Sequence, residues 1–344
     1  YNNDSVMEFR DLKQQYQVLK SDIDQALVDV ATSGAYIMGG PVKALEQELA
    51  DYVGVKHCIS CANGTDALTL ALKCWGVGAG DAVFVPDFTF FASAEVIALE
   101  GATPVFVDVE RNTFNLDPAN LEAAIDAVRA EGLLHPKVVI GVDLFGLPAR
   151  WNEIKAIAKR EGLLVLEDGA QGFGGRIDNL RACSFGDIAT TSFFPAKPLG
   201  CYGDGGALFT NNDEWAVLAE SFRVHGKGSY KYDNIRIGMN SRLDTLQAAV
   251  LRVKLKAFKE HELNDVNHAA EYYSQLIEGM TRYSNKPLQY VVPEIPNGYV
   301  SSWAQYTLRL VSKDEEIRIN RSVLQDILKQ KGILRRPTRT ASGT

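Results

Sequence analysis

Val138-Val139-Ile140-Gly141-Val142, then Trp151 to Glu161, then Leu163-Leu164-Val165-Leu166-Glu167-Asp168: these residues decide the fold. Two short apolar runs flank an amphipathic segment of helix length, and glycine or polar residues bound each run. Strands that are apolar at successive positions are buried on both faces, as in a parallel sheet covered by helices. Working outward, Val83-Phe84-Val85-Pro86 and Thr103-Pro104-Val105-Phe106-Val107 repeat the strand pattern, and Asp117 to Glu131 repeats the helical one. The alternation runs from about residue 55 to 210. It predicts an α/β fold, a three-layer sandwich with a mainly parallel sheet. Beyond Arg242 the texture changes. Leu243 to Asn267 reads as one long helix, and a strand is expected at Ala304-Gln305-Tyr306-Thr307-Leu308-Arg309-Leu310. The predicted organisation is a large domain over 1–245 and a smaller C-terminal α+β domain over 246–344.

At 344 residues the chain can bury a sizeable core, and 46% hydrophobic with 23% charged residues is ordinary globular composition. A formal charge of −7 and a pI near 5.4 argue against nucleic acid or an anionic membrane as partner. No apolar run reaches the roughly 18 residues of a membrane span. Tyr1 to Glu8 carries no basic-then-apolar leader, so a cytoplasmic protein is expected. Five cysteines, at 58, 61, 74, 183 and 201, are odd in number and widely spread, which is no disulfide framework. Cys58-Ile59-Ser60-Cys61 is formally a CxxC pair, but nothing completes a zinc site, and buried structural thiols are expected. No metal is expected.

In such sheets ligands bind at the carboxyl ends of the strands, and several strand ends here carry polar groups. Lys197 lies in Ser192-Phe193-Phe194-Pro195-Ala196-Lys197-Pro198-Leu199-Gly200. Apolar, proline-flanked surroundings would partly desolvate its amine and make it a nucleophile towards a carbonyl. Cys61-Ala62-Asn63-Gly64-Thr65-Asp66-Ala67-Leu68 follows a strand and opens a helix. Its glycine, hydroxyl and helix start suit a phosphate; equally, Thr65 or Asp66 is a plain N-cap. Asp168, ending the strand before Gly169-Ala170-Gln171, is a partly buried carboxylate that wants a positive partner. A protonated pyridine nitrogen and a helix cap role remain open to it, while a metal site is disfavoured because only Glu167 and Asp187 stand nearby as ligands. Ser192 could reach the same phosphate, and Phe90, in Phe88-Thr89-Phe90-Phe91, could stack on a flat ring.

Together with Gly238-Met239-Asn240-Ser241-Arg242-Leu243-Asp244, these segments resemble the DegT-type nucleotide-sugar aminotransferases, fold-type-I enzymes that use pyridoxal 5'-phosphate. The resemblance spans Met7 to about Gly332. It looks most like the enzymes acting on UDP-linked 3-keto derivatives of N-acetylglucosaminuronic acid. It implies that Lys197 is the lysine covalently joined to the cofactor and that Asp168 keeps the pyridine nitrogen protonated. Gln171 would bond the ring hydroxyl, and Phe90 would stack on the ring. Thr65, Ser192 and the Gly64-to-Asp66 backbone would form the phosphate cup. Asn240 would reach the phosphate of a neighbouring subunit, and Arg242 would help hold the nucleotide-sugar across that interface, so a homodimer is implied. The amino donor implied is L-glutamate, and the setting is bacterial surface polysaccharide biosynthesis.

Three rivals follow from the same resemblance. A TDP- or UDP-linked 4-keto or 3-keto deoxysugar would alter the substrate only. Sugar dehydratases of this group carry histidine where Lys197 stands, so the lysine favours transamination. A non-catalytic regulator should have lost Lys197, Asp168 or the phosphate cup, and all three are intact. The chain departs from the family after the Gly332 region, reading Arg335-Arg336-Pro337-Thr338-Arg339-Thr340 where a Tyr-Pro and His-containing loop is usual.

Overall fold

A computed structural model describes residues 10–230, 232–282, 288–312 and 321–331. The chain enters through helices α1 (Leu12–Ser33) and α2 (Gly40–Val53), then alternates strand and helix. In order come β1 (His57–Cys61), α3 (Gly64–Cys74), β2 (Asp81–Pro86), α4 (Ala92–Leu99), β3 (Thr103–Val107), α5 (Pro118–Glu131), β4 (His135–Val142), α6 (Trp151–Glu161) and β5 (Leu164–Asp168). Two short strands, β6 (Arg176–Ile177) and β7 (Leu180–Arg181), precede β8 (Ile188–Ser192), β9 (Gly206–Thr210) and α7 (Asp213–Phe222).

The seven-stranded sheet has the order β1-β9-β8-β5-β4-β2-β3. All neighbours from β3 to β8 are parallel, and β9 runs antiparallel to both β8 and β1. Alternating side chains serve opposite faces. Ile59, Val83, Val85, Ile140, Leu166 and Leu208 pack with α3, α4 and α7. On the other face Ala82, Phe84, Val139 and Val165 meet α5 and α6, and Cys58, Ala207 and Phe209 meet α2. Burial on both sides explains why these strands read as unbroken apolar runs. The three-layer architecture is therefore as the sequence predicts. Cys58 and Cys61 are buried thiols, and burial pushes Cys61 up to about 12.

The long helix expected over Leu243 to Asn267 is present from Thr245 and runs on to Arg282, with one π-helical turn inside it. It comprises α8 (Thr245–Ala257), the turn Phe258–Glu262, and α9 (Leu263–Arg282). Ala248, Leu251 and Leu255 of α8 share a core with α2 and the sheet. The last elements are β10 (Leu288–Val291), β11 (Tyr299–Val300), β12 (Arg309–Ser312) and α10 (Arg321–Gln330). β10 pairs antiparallel with β12, and β11 pairs with β6. The strand expected from Ala304 begins only at Arg309. Trp303 adopts φ 51 and Gln305 gives its N–H to Phe145 O at 3.2 Å, which commits this stretch to the body of the protein before a ladder can start. The divergent segment Arg335 to Thr340 lies outside the described residues. Among the described residues no helix is long and apolar enough to cross a membrane.

Candidate active site

Sheet register brings the strand ends together. Cys61 lies opposite Gly206, Gly206 opposite Ser192, and Thr190 opposite Asp168, which is in turn opposite Val142. Above this line opens a cavity of about 700 Å³, with Asn63, Gly64, Thr65, Asp66, Phe90, Asp168, Gln171, Ser192, Lys197 and Gln305 in its walls. Eight of the ten residues singled out from sequence therefore meet in one space: Gly64, Thr65, Asp66, Phe90, Asp168, Gln171, Ser192 and Lys197. Asn240 and Arg242 are not among its walls. They sit in the loop between α7 and α8, where Arg242 Nη2 donates to Asn240 Oδ1 at 2.5 Å.

The helix start at α3 is capped by Asn63, not by Thr65 or Asp66 as the sequence left open. Asn63 Oδ1 accepts from Asp66 N at 2.8 Å. With that N–H answered, the Gly64 and Thr65 N–H groups of the first turn have no partner within the helix and remain for a ligand. Gly64 is required for closeness rather than for flexibility. A Cβ placed on it would lie 2.7 Å from Ser192 Cβ, so the α3 start and the β8 end form one cradle with two hydroxyls beside it.

Asp168 is 5% exposed and its carboxylate is anchored. Oδ2 accepts from Ser93 Oγ at 2.8 Å, and Oδ1 from Ala170 N at 3.2 Å. Ser93 in turn shares a 3.0 Å hydrogen bond with Thr89 Oγ1. Gln171 Oε1 accepts from Phe145 N at 2.6 Å, which fixes the amide and leaves its NH2 as the donor side. Phe90 is 68% exposed on the chain segment after β2, a flat apolar face at the cavity mouth. The turn bearing Lys197 is closed by Lys197 N to Phe194 O and Cys201 N to Phe193 O, each 2.8 Å.

Sequence reasoning missed Ser93, Asn63 and Gln305. Asn63 could have been found, since asparagine ahead of Gly-Thr-Asp is a strong cap. Ser93 carried a weaker signal, a serine in an apolar helix start that must find a partner once buried. Sequence reasoning also missed what holds Glu167. Its side chain turns away from Asp168 and accepts from Cys183 N, from Phe185 N at 2.7 Å and from Gly186 N at 3.2 Å. Against it lies Asp143, equally buried, whose Oδ1 accepts from Ala149 N at 2.9 Å and Trp151 Nε1 at 2.8 Å. Asp143 Oδ2 finds no other donor among the described residues. Desolvation and the neighbouring charge push Asp143 well above the carboxylate range, and desolvation pushes Glu167 up to about 7. One proton shared from Asp143 to Glu167 supplies the missing bond.

A strand-end cavity with a turn-borne lysine, an anchored carboxylate and a helix-start anion cradle defines the class: a fold-type-I pyridoxal-phosphate enzyme. A family model described as the DegT/DnrJ/EryC1/StrS aminotransferase family matches residues 17–340, and the chain belongs to that family. It is 46% identical over 309 residues to a UDP-2-acetamido-2-deoxy-3-oxo-D-glucuronate aminotransferase of Pseudomonas aeruginosa, covering 90% of this chain and 81% of the relative. A Geobacillus stearothermophilus protein named pleiotropic regulatory protein is 42% identical over 323 residues, or 94% of this chain and 81% of that one. The crystal structure of a DegT/DnrJ/EryC1/StrS aminotransferase from Brucella abortus superposes with a TM-score of 0.88 at 48% identity, over 95% of this chain and 83% of that one. The enzyme is an aminotransferase, and its cofactor is pyridoxal phosphate. The residues present fit that group: the Gly64–Ser192 cradle suits its phosphate, and the buried Asp168 carboxylate suits its ring nitrogen.

Proposed function

We propose that this enzyme moves an amino group from L-glutamate to the 3-keto group of a UDP-linked N-acetylglucosamine-derived uronic acid. The observation that carries the reaction type is the meeting of Lys197, Asp168, Thr65 and Ser192 in one cavity. The substrate reading is supported by likeness to the Pseudomonas aeruginosa enzyme named for that sugar. When bound, pyridoxal phosphate supplies a carbonyl that links to amines and a ring that accepts electrons. Gly64 and Thr65 N–H groups, with the Thr65 and Ser192 hydroxyls, bind the phosphate. Asp168, held by Ser93 and Ala170, keeps a proton on the ring nitrogen. Gln171 orients the ring through its NH2, and Phe90 covers one ring face. Lys197 Nζ would hold the cofactor through its carbonyl carbon and, when free, would be the base that takes the proton from the donor's α-carbon and the acid that returns it. The same amine would serve as acid and base when the keto-sugar is the acceptor.

The active unit of this reading is a cytoplasmic homodimer that serves surface polysaccharide synthesis. Asn240 and Arg242 act on the neighbouring subunit's site, in keeping with their position outside their own cavity. Exposed Tyr230, Ile235 and Ile237, on the segment leading to them, are the apolar surface such a partner would cover. A regulatory role without catalysis is the alternative that the Geobacillus stearothermophilus relative's name raises. The deciding assay supplies L-glutamate and UDP- or TDP-linked 3-keto and 4-keto sugars and measures 2-oxoglutarate and amino-sugar. Turnover with the UDP-3-keto uronic acid, abolished in Lys197→Ala, is expected. No turnover with any keto-sugar, or undiminished turnover in Lys197→Ala, refutes the proposal.

A further inference from the structure

Arg10 reaches from just before α1 to the turn that carries Lys197. Its Nη1 donates to Ala196 O at 3.1 Å and its Nη2 to Pro198 O at 2.9 Å, so one planar fork grips the peptide carbonyls on either side of the lysine. Hydrogen bonds with an ionised donor are about twice as strong as neutral ones. Two charged side chains lie near the fork. Glu262 closes the π-turn Phe258–Glu262 and lies close enough to Arg10 to oppose the desolvation of its guanidinium. Glu262 also accepts from Gln15 Nε2 at 2.8 and 3.1 Å, which ties it to α1. Lys254 completes the cluster, 2% exposed, with its ammonium 5.3 Å from the Tyr202 ring centre. A π-turn adds one residue to a helical turn and rotates the next stretch of helix by about 100°. In this chain the residue that ends that rare backbone, Glu262, is the one tied to α1 through Gln15. Neither Arg10 nor Glu262 lines the cavity.

We propose that Arg10 is a positioning residue for Lys197. A lysine side chain has many rotamers, so the place of its amine is set by how firmly its backbone is held. A displacement near 1 Å at a reacting group can cost on the order of 10²-fold in rate. The inference rests on the role proposed for Lys197. It adds that part of the catalytic geometry is imposed by a residue just ahead of α1 that does not itself line the cavity.

The test uses the cofactor-loaded enzyme and the same protein freed of cofactor, with Arg10→Met, Arg10→Lys and Glu262→Gln. Hydrogen exchange followed by mass spectrometry reads the Lys197 and Cys201 amides against those of β5. In Arg10→Met, with or without cofactor, exchange across 194–201 is expected to rise about tenfold or more, while β5 stays unchanged. Turnover should fall by about 10- to 100-fold with KM for the nucleotide-sugar moving less than twofold. Arg10→Lys should recover part of both losses, and Glu262→Gln should show a smaller version of each. Unchanged exchange at 194–201 in Arg10→Met overturns the proposal. So does exchange that rises equally in β5, or a lower rate that comes wholly through KM. The exchange measurement on cofactor-free protein separates this outcome from a failure of the reaction assignment itself.

Discussion

Asp143 and Glu167 press two carboxyl groups together where water is excluded, and Asp143→Asn tests how they coexist. Both groups are raised above their ordinary values of 3.8 and 4.5, Glu167 to about 7. The folded protein therefore keeps protons that the unfolded chain has released. The stability contributed by Glu167 is complete below its unfolded value and is lost as the pH rises through about 7, while Asp143, raised further, keeps its proton to higher pH. In Asp143→Asn the new amide would keep an oxygen for Ala149 N and Trp151 Nε1, and would offer Glu167 a permanent N–H where the shared proton lies. A buried acceptor left without a donor costs about 1–3 kcal/mol. The parent must hold the Asp143 proton against the solution as the pH rises and the amide need not, so between pH 5 and pH 8.5 the variant is expected to lose less stability than the parent, by about 1–3 kcal/mol. Glu167→Gln is the control. It must turn its NH2 either towards the Cys183 N–H or towards those of Phe185 and Gly186, and should lose about 1–3 kcal/mol at both pH values. Urea unfolding followed by tryptophan fluorescence reads both. If Asp143→Asn loses as much stability as the parent over that range, the shared-proton account is wrong.

Other expectations concern the cavity. Gly64→Ala would drive a Cβ to 2.7 Å from Ser192, forcing α3 from β8. A stability loss of about 1–3 kcal/mol is expected, with weaker cofactor binding in a fluorescence titration. Asp168→Asn should retain cofactor on gel filtration yet lose on the order of 10²–10³ in kcat. Asn63→Ala removes the cap of α3 and should lower stability by about 1 kcal/mol in thermal unfolding. Cys58, Cys61 and Cys183, raised by burial, should resist alkylation near pH 8 in the folded enzyme and react once it is denatured, as read by intact mass.

Much of the architecture was legible because doubly buried strands announce themselves as apolar runs, and the cores of β2, β4 and β5 do so. The reversal at β9 was not, since Gly206-Ala207-Leu208-Phe209-Thr210 reads alike in either direction. Nor was the π-turn, because Phe258 to Glu262 carries ordinary helix-forming residues and only tertiary contacts impose the extra residue. At the site, Lys197 and Asp168 were legible because their own flanking residues mark them. Ser93 was hidden because its meaning comes from Asp168, 75 residues away. Arg10 was hidden for the same reason, its partners lying 186 and 188 residues on.

The antiparallel β9 has a consequence for how this protein is born. β1 stands at the sheet edge with β9 as its neighbour, and the phosphate cradle needs both Gly64 after β1 and Ser192 at the end of β8. A ribosome delivers β1 early, but its partner emerges roughly 150 residues later, about 7–30 s at ~5–20 residues per second. During that interval β1 is an unpaired apolar strand and the anion cradle does not exist. Cofactor capture therefore waits until Ser192 has emerged and β8 and β9 have joined the sheet beside β1.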